Sequence, residues 1–143
     1  MAPTEHGRFR DPRGVGVQDL IGESPGMILL RQQISDLLRR QPPSRRLPTL
    51  LIQGETGTGK GLLARAVHNA SARSSQPFID ADCLAIPETL LEAELFGFER
   101  GAFTDAKEPK LGLFHAASGG SLFLDEVGLL PRTFQAKLLK VVD

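Results

Sequence analysis

The chain has 143 residues, the length of one ordinary domain, and a domain of that size buries roughly two-thirds of its unfolded surface. Seventeen basic side chains balance 17 acidic ones, so no overall field recruits nucleic acid or acidic membrane, and the lone Cys83 excludes an internal disulfide and argues against a cysteine-based metal site. No apolar run approaches the ~20 residues of a membrane span and no signal-peptide pattern follows the N-terminal arginines, so a soluble, cytoplasmic protein is expected.

Residues 1–16 carry Pro, Gly and Arg without periodicity and read as a flexible leader, with residues 17–143 as the domain. Ser24-Pro25 is a helix opening, and Met27, Leu30, Ile34, Leu37 and Leu38 recur at helical spacing to about Arg40. The breaker-rich linker Gln41 to Pro48 leads into TLLIQ, Thr49 to Gln53, an apolar run of strand length. Lys60 to about Ser71 reads as a helix with Leu62, Leu63, Ala66 and Val67 on one face. PFIDA, Pro77 to Ala81, is a second strand, and Pro87-Glu88 opens a helix to about Phe96. Gly97 to Gly112 reads as a loop in which Glu99 to Ala102 can take a helical turn. A short helix near Leu113 to Ala117 precedes the third strand, SLFLD, Ser121 to Asp125. Pro131 starts a last helix with Phe134, Leu138, Leu139 and Val142 inward. The alternation of strand and helix predicts an α/β fold with a parallel sheet and ligands at the carboxyl ends of its strands.

Two motifs sit at such ends. GETGTGKG, Gly54 to Gly61, follows the first strand and opens a helix. Gly54, Gly57 and Gly59 let backbone amides converge on phosphate, the helix adds the positive end of its dipole, and Lys60 reaches the outer phosphates. Glu55, Thr56 and Thr58 fill the remaining loop positions, and Gly61 stands where a magnesium-binding hydroxyl residue often follows the lysine. SLFLDE then delivers two carboxylates at the end of an apolar strand. Asp125 is suited to hold a magnesium shell, and Glu126 to polarise an attacking water. His6, His68 and His115 show no paired metal spacing and read as structural or solvated.

Together these residues resemble the AAA+ ATPase domain of sigma-54-dependent, enhancer-binding bacterial transcriptional activators. The likeness runs from about Leu20 to Val142 and rests on LIGESPGM at Leu20, GETGTGKG, PFIDADC at Pro77, ELFGFERGAFTDA at Glu94 and GGSLFLDEVGLLPRTFQAKLL at Gly119. It implies a three-layer P-loop NTPase fold, incomplete at the C-terminus, with ATP and Mg2+ as cofactors. It also implies coupling of ATP binding and hydrolysis to remodelling of RNA polymerase sigma-54, and a ring in the full-length family. GAFTDA, at Gly101, is similar to the family's GAFTGA loop, which would make Phe103 and Thr104 the sigma-facing residues. Ile21 and Gly22 would line the adenine pocket. By the same likeness Asp125 would be the magnesium-site carboxylate and Glu126 the catalytic one.

Three positions depart from the family pattern. Gly61 replaces a glutamate, Asp105 replaces the second glycine of GAFTGA, and Asp82 replaces an asparagine that hydrogen-bonds the catalytic glutamate. A non-glycine at 105 loses access to some positive-φ conformations, and an ionised Asp82 cannot donate a hydrogen bond to Glu126. The resemblance ends at Asp143, before the sensor strand, arginine finger, helical lid and DNA-binding element, so the chain by itself is expected to be a poor ATPase with no direct DNA-binding element, and to be a fragment or degenerate relative. The alternatives are a nucleotide-sensing interaction module that does not act on sigma-54, and a non-functional remnant.

Overall fold

The computed structural model describes residues 14–20, 22–40 and 48–142. The first 13 residues of the expected leader with His6, Ile21 of the expected adenine pocket, linker residues 41–47 and Asp143 lie outside the described residues. The chain divides into two units, residues 1–76 and 77–143.

The first unit contains a 3-10 turn, Val17–Asp19, helix α1, Pro25–Arg39, and helix α2, Lys60–Ala70. α1 begins as its sequence predicts: Pro25 occupies the first turn, and the Ser24 hydroxyl accepts a hydrogen bond from the Met27 amide at 3.3 Å. Ile34 is buried with Val17, Leu20, Ala66 and Val67, and Met27, Leu30, Leu38 and Leu63 pack around them. Leu62 is 44% exposed, against expectation. At 100° per residue it lies about 90° from the centre of the Leu63, Ala66 and Val67 stripe, outside the arc this core covers.

The TLLIQ run forms no strand ladder, and Leu51 is 74% exposed. An apolar run expresses a tendency to be buried, whereas a strand requires neighbouring backbone groups to pair with, and 49–53 has none in a ladder among the described residues.

In the second unit the order is β1, Phe78–Asp82; α3, Glu88–Phe96; β2, Gly97–Phe98; β3, Lys110–Leu111; α4, Leu113–Ala116; β4, Ser121–Asp125; a 3-10 turn, Val127–Leu129; and α5, Arg132–Val142. β1 and β4 pair in parallel from Phe78 opposite Ser121 to Asp82 opposite Asp125, and the intervening helices make the crossover a parallel pair needs. The α/β class and the parallel pairing follow the sequence reading. β2 and β3 form a short antiparallel pair within the stretch read as loop.

Cys83, Leu91, Leu95, Leu130, Phe134 and Leu138 form the core of this unit. Phe96 stacks on Phe114 with ring centroids 5.3 Å apart and leans on Phe134 at 5.8 Å, contacts each worth roughly 0.5–1.5 kcal/mol beyond burial. Leu139 and Val142, expected inward, are 61% and 39% exposed. Leu139 is rotated off the line joining Phe134 to Leu138, and Val142 lies a turn beyond the last core residue. Among the described residues no helix is long and apolar enough to cross a membrane.

Candidate functional site

Gly54 to Gly59 form one exposed turn that runs into the N-terminus of the 11-residue α2 at Lys60. Gly57 and Gly59 take φ of 82° and 94°, values side chains other than glycine rarely adopt, and a Cβ at either would meet nothing within 4 Å. Those two glycines are therefore needed for backbone direction, and the space beside them is open. The turn is braced from within: the Thr58 hydroxyl donates to the Glu55 carbonyl at 2.6 Å, and the Lys60 ammonium donates to the carbonyls of Gly54 and Glu55, both at 2.9 Å. Lys60 thus folds back over the loop with its charge held by two neutral acceptors. Gly61 is part of α2, so its poor helix propensity does not prevent the helix from starting at Lys60.

The acidic corner lies at the carboxyl ends of β1 and β4. Asp82 and Asp125 are direct neighbours in register, and the Cys83 amide donates to the Asp125 carbonyl at 3.4 Å. One Asp125 carboxylate oxygen accepts from the Glu126 amide at 2.9 Å, and one of Asp82 accepts from the Leu84 amide at 2.9 Å. Glu126 has φ 58° and ψ 35°, the one left-handed non-glycine among the described residues. Burial, joined by the nearby Asp82 and Asp125 carboxylates, pushes the Cys83 thiol up to about 11, which keeps it protonated and unreactive. The described residues contain no cluster of three metal-ligating side chains, so a magnesium ion at Asp125 would take most of its ligands from phosphate and water. The cradle belongs to the first unit and the acidic corner to the second.

Between β2 and β3 the GAFTDA segment is a closed loop. The Gly101 amide donates to the Ala106 carbonyl at 2.9 Å, the Ala106 amide donates to the Phe103 carbonyl at 3.0 Å, and Ala106 is buried. The expected turn at Glu99 to Ala102 is present as a hydrogen bond from the Ala102 amide to the Glu99 carbonyl at 3.2 Å. Phe103 is 51% exposed and meets Phe98 edge-on at 4.9 Å, and Thr104 is exposed beside it. The loop therefore offers an aromatic at its surface while one edge of the ring is anchored.

A family profile described as the Sigma-54 interaction domain matches residues 20–143. The chain belongs to the sigma-54 interaction domain family. It is 44% identical over 149 residues to the Nif-specific regulatory protein of Klebsiella pneumoniae, covering 100% of this chain and 27% of that one. It is 52% identical over 124 residues to the transcriptional regulator VasH of Vibrio cholerae, covering 87% and 22%. Among solved structures, NtrX from Brucella abortus in complex with ATP superposes with a TM-score of 0.66 at 38% identity, over 85% of this chain and 24% of that one. The chain spans about a quarter of the length of these relatives.

Set within this family, the departures acquire structural detail. Positive φ falls on Gly101, the first glycine of GAFTDA, whereas Asp105 is not left-handed, so the aspartate strains no backbone and contributes only a carboxylate. The lost access to positive φ at 105 therefore costs this backbone nothing. Asp82 is engaged as an acceptor for its own turn.

Two devices were not foreseen from the sequence. The Arg31 guanidinium donates to the carbonyls of Leu20 and Gly22, and Glu94 on α3 forms an ion pair with Lys110 on β3 at the base of the GAFTDA loop. Both join residues whose proximity exists only after folding. The weak signals were an arginine on a helix otherwise explained by its apolar face, and a lysine following a proline at the end of the loop.

Proposed function

We propose that the chain is the nucleotide-binding part of a cytoplasmic sigma-54-dependent transcription activator, which binds ATP with Mg2+ and couples its hydrolysis to remodelling of RNA polymerase sigma-54. The observation that carries the reading is the Gly54 to Gly61 cradle: two positive-φ glycines, open space beside them, a helix N-terminus and Lys60 within one turn. Membership of the family supports it, as does the solved ATP complex of NtrX. The loop's residues fit a polyphosphate, because nothing occupies the space a Cβ would need at Gly57 or Gly59 and the backbone can approach closely.

In this mechanism the amides of the cradle orient the phosphates, and Lys60 exchanges its two loop carbonyls for phosphate oxygens, replacing neutral acceptors by charged ones. ATP supplies the phosphoanhydride and Mg2+ the charge neutralisation. Asp125 would hold the metal side of the site. Glu126 would orient the attacking water and accept its proton, from a left-handed backbone position immediately after β4. Phe103 and Thr104, presented on the braced loop, would make contact with sigma-54, with the Asp105 carboxylate beside them as a determinant of which partner surface is accepted. Assembly into a ring would bring groups of a neighbouring subunit to the site.

Titration of a fluorescent ATP analogue onto the wild-type chain, Lys60→Ala and Phe103→Ala tests the division of labour. Lys60→Ala is expected to weaken binding by more than about tenfold, since a charged hydrogen bond is worth roughly 1.5–3 kcal/mol. Phe103→Ala should bind like wild type, and in the full-length protein it should abolish sigma-54-dependent transcription. Equal binding by wild type and Lys60→Ala contradicts the cradle, and lost binding in Phe103→Ala contradicts the separation of roles.

A further inference from the structure

The Glu55 carbonyl serves more donors than an oxygen with two lone pairs can hold equally well. It accepts from the Thr58 amide at 3.3 Å, from the Thr58 hydroxyl at 2.6 Å and from the Lys60 ammonium at 2.9 Å. The amide contact is the bond that closes a four-residue turn, but it is long for its kind, so the hydroxyl is the firmer of the two Thr58 holds. The proposed function takes Lys60 away to phosphate. A Glu55 carbonyl let go at that moment could swing its oxygen toward the polyphosphate, where negative groups repel. The Thr58 hydroxyl prevents that swing. Gly54 supplies a second, independent observation. It is not among the positive-φ glycines, so backbone direction does not call for glycine there. Space does: a Cβ on Gly54 would lie 2.8 Å from the Thr58 hydroxyl oxygen, closer than real Cβ atoms come. Gly57 and Gly59 set the direction of the turn, and Gly54 makes room for the hydroxyl that braces it.

We infer that Thr58 is a positioning residue for polyphosphate binding: its hydroxyl keeps the Glu55 carbonyl in the turn while Lys60 leaves that carbonyl for phosphate. The inference rests on the proposed function, in which Lys60 makes this exchange, and adds the residue that lets the exchange happen without reshaping the loop. Thr58 acts through the Glu55 carbonyl and not through the ligand.

Titration of the 143-residue chain with inorganic tripolyphosphate, followed by amide chemical shifts into the millimolar range, tests this with a double-mutant cycle. Thr58→Val is expected to lose about fivefold in affinity, and Thr58→Ser, which keeps the hydroxyl, less than about twofold. In a Lys60→Ala background the Glu55 carbonyl has no lysine to lose on binding, so Thr58→Val should cause no further loss. An equal loss in both backgrounds overturns the inference and assigns Thr58 a merely structural role. Thr58→Val binding like wild type, or Thr58→Ser falling as far as Thr58→Val, also overturns it. Gly54→Ala gives a second cycle that does not need Lys60→Ala: it should lose about fivefold in the wild-type chain and nothing more in Thr58→Ala, where no hydroxyl is left to displace. Additive losses in that pair contradict the brace. Wild type that does not bind tripolyphosphate refutes the cradle itself, a different result from any that strikes Thr58 alone.

Discussion

Glu126 occupies the left-handed region without the excuse of a glycine or asparagine, a conformation that costs a side-chain-bearing residue roughly 1–2 kcal/mol. Such strain persists where the surroundings over-determine it, and here it falls on the residue proposed for water activation. Glu126→Gly is expected to stabilise the chain by about 1 kcal/mol, the relieved strain being partly offset by the greater unfolded-state freedom of glycine. Thermal unfolding of the two proteins checks this, a rise of a few degrees being expected and a fall meaning that the carboxylate's own contacts outweigh the strain. His68 gives a second prediction at this scale. Burial holds its pKa below the ordinary 6.5, with Arg65 and Arg73 adding to the depression and a hydrogen bond involving the Gln76 backbone opposing it. The unfolded chain therefore takes up a proton more readily than the folded one, so the contribution of neutral His68 is fully present above pH 6.5 and is lost as pH falls from there through the folded pKa. Denaturant midpoints measured from pH 7.5 to 5 should decline for wild type and decline less for His68→Gln. Equal slopes would contradict the account. The sequence left His68 as structural or solvated, because no second ligand stood at metal spacing, and its burial decides for the first.

At the scale of elements, the GAFTDA loop depends on its base. Gly97 has φ 72°, and a Cβ there would collide with the Lys110 carbonyl and fall 2.6 Å from the Gly112 amide nitrogen. Gly97→Ala is expected to cost more than about 2 kcal/mol, adding backbone strain to steric overlap, and to loosen the loop. Hydrogen exchange at the Gly101 and Ala106 amides should accelerate in that variant; unchanged protection would show that the loop holds its shape without the β2–β3 pair. This pair escaped the sequence reading because two-residue strands carry no periodicity, and the Glu94–Lys110 ion pair that joins α3 to β3 crosses 16 positions of chain. β4, by contrast, was legible to its ends, since SLFLD is a continuous apolar run closed by an acidic pair. The helices were legible for the same reason at their starts, where Ser24-Pro25 and Pro87 fix the first turn, and less so along their faces. Leu62 and Leu139 are apolar at the edge of a stripe, and only packing decides which edge residues are covered. TLLIQ failed for a related reason, because its composition suits a strand while no ladder contains it.

For the whole molecule, the groups proposed to direct phosphate, from Gly54 to Lys60, belong to one unit, and the carboxylates proposed for metal and water, Asp125 and Glu126, to the other. Both motifs could be read from the sequence, since each depends on local backbone and a few invariant chemical requirements. Arg31 could not, because its two acceptors are brought to it by folding. Exposed Leu50, Leu51, Leu62, Leu129 and Leu139 show how much apolar surface the described residues leave uncovered. The proposed function requires the Gly54 to Gly61 cradle to receive the phosphates of ATP. Amide relaxation of the isotopically labelled chain with Mn2+ and ATP tests that requirement most directly, because the paramagnetic ion broadens only the amides around it. The account predicts broadening at Gly57, Gly59 and Lys60, and its loss in Lys60→Ala; no broadening at the cradle, or equal broadening in the variant, would contradict it.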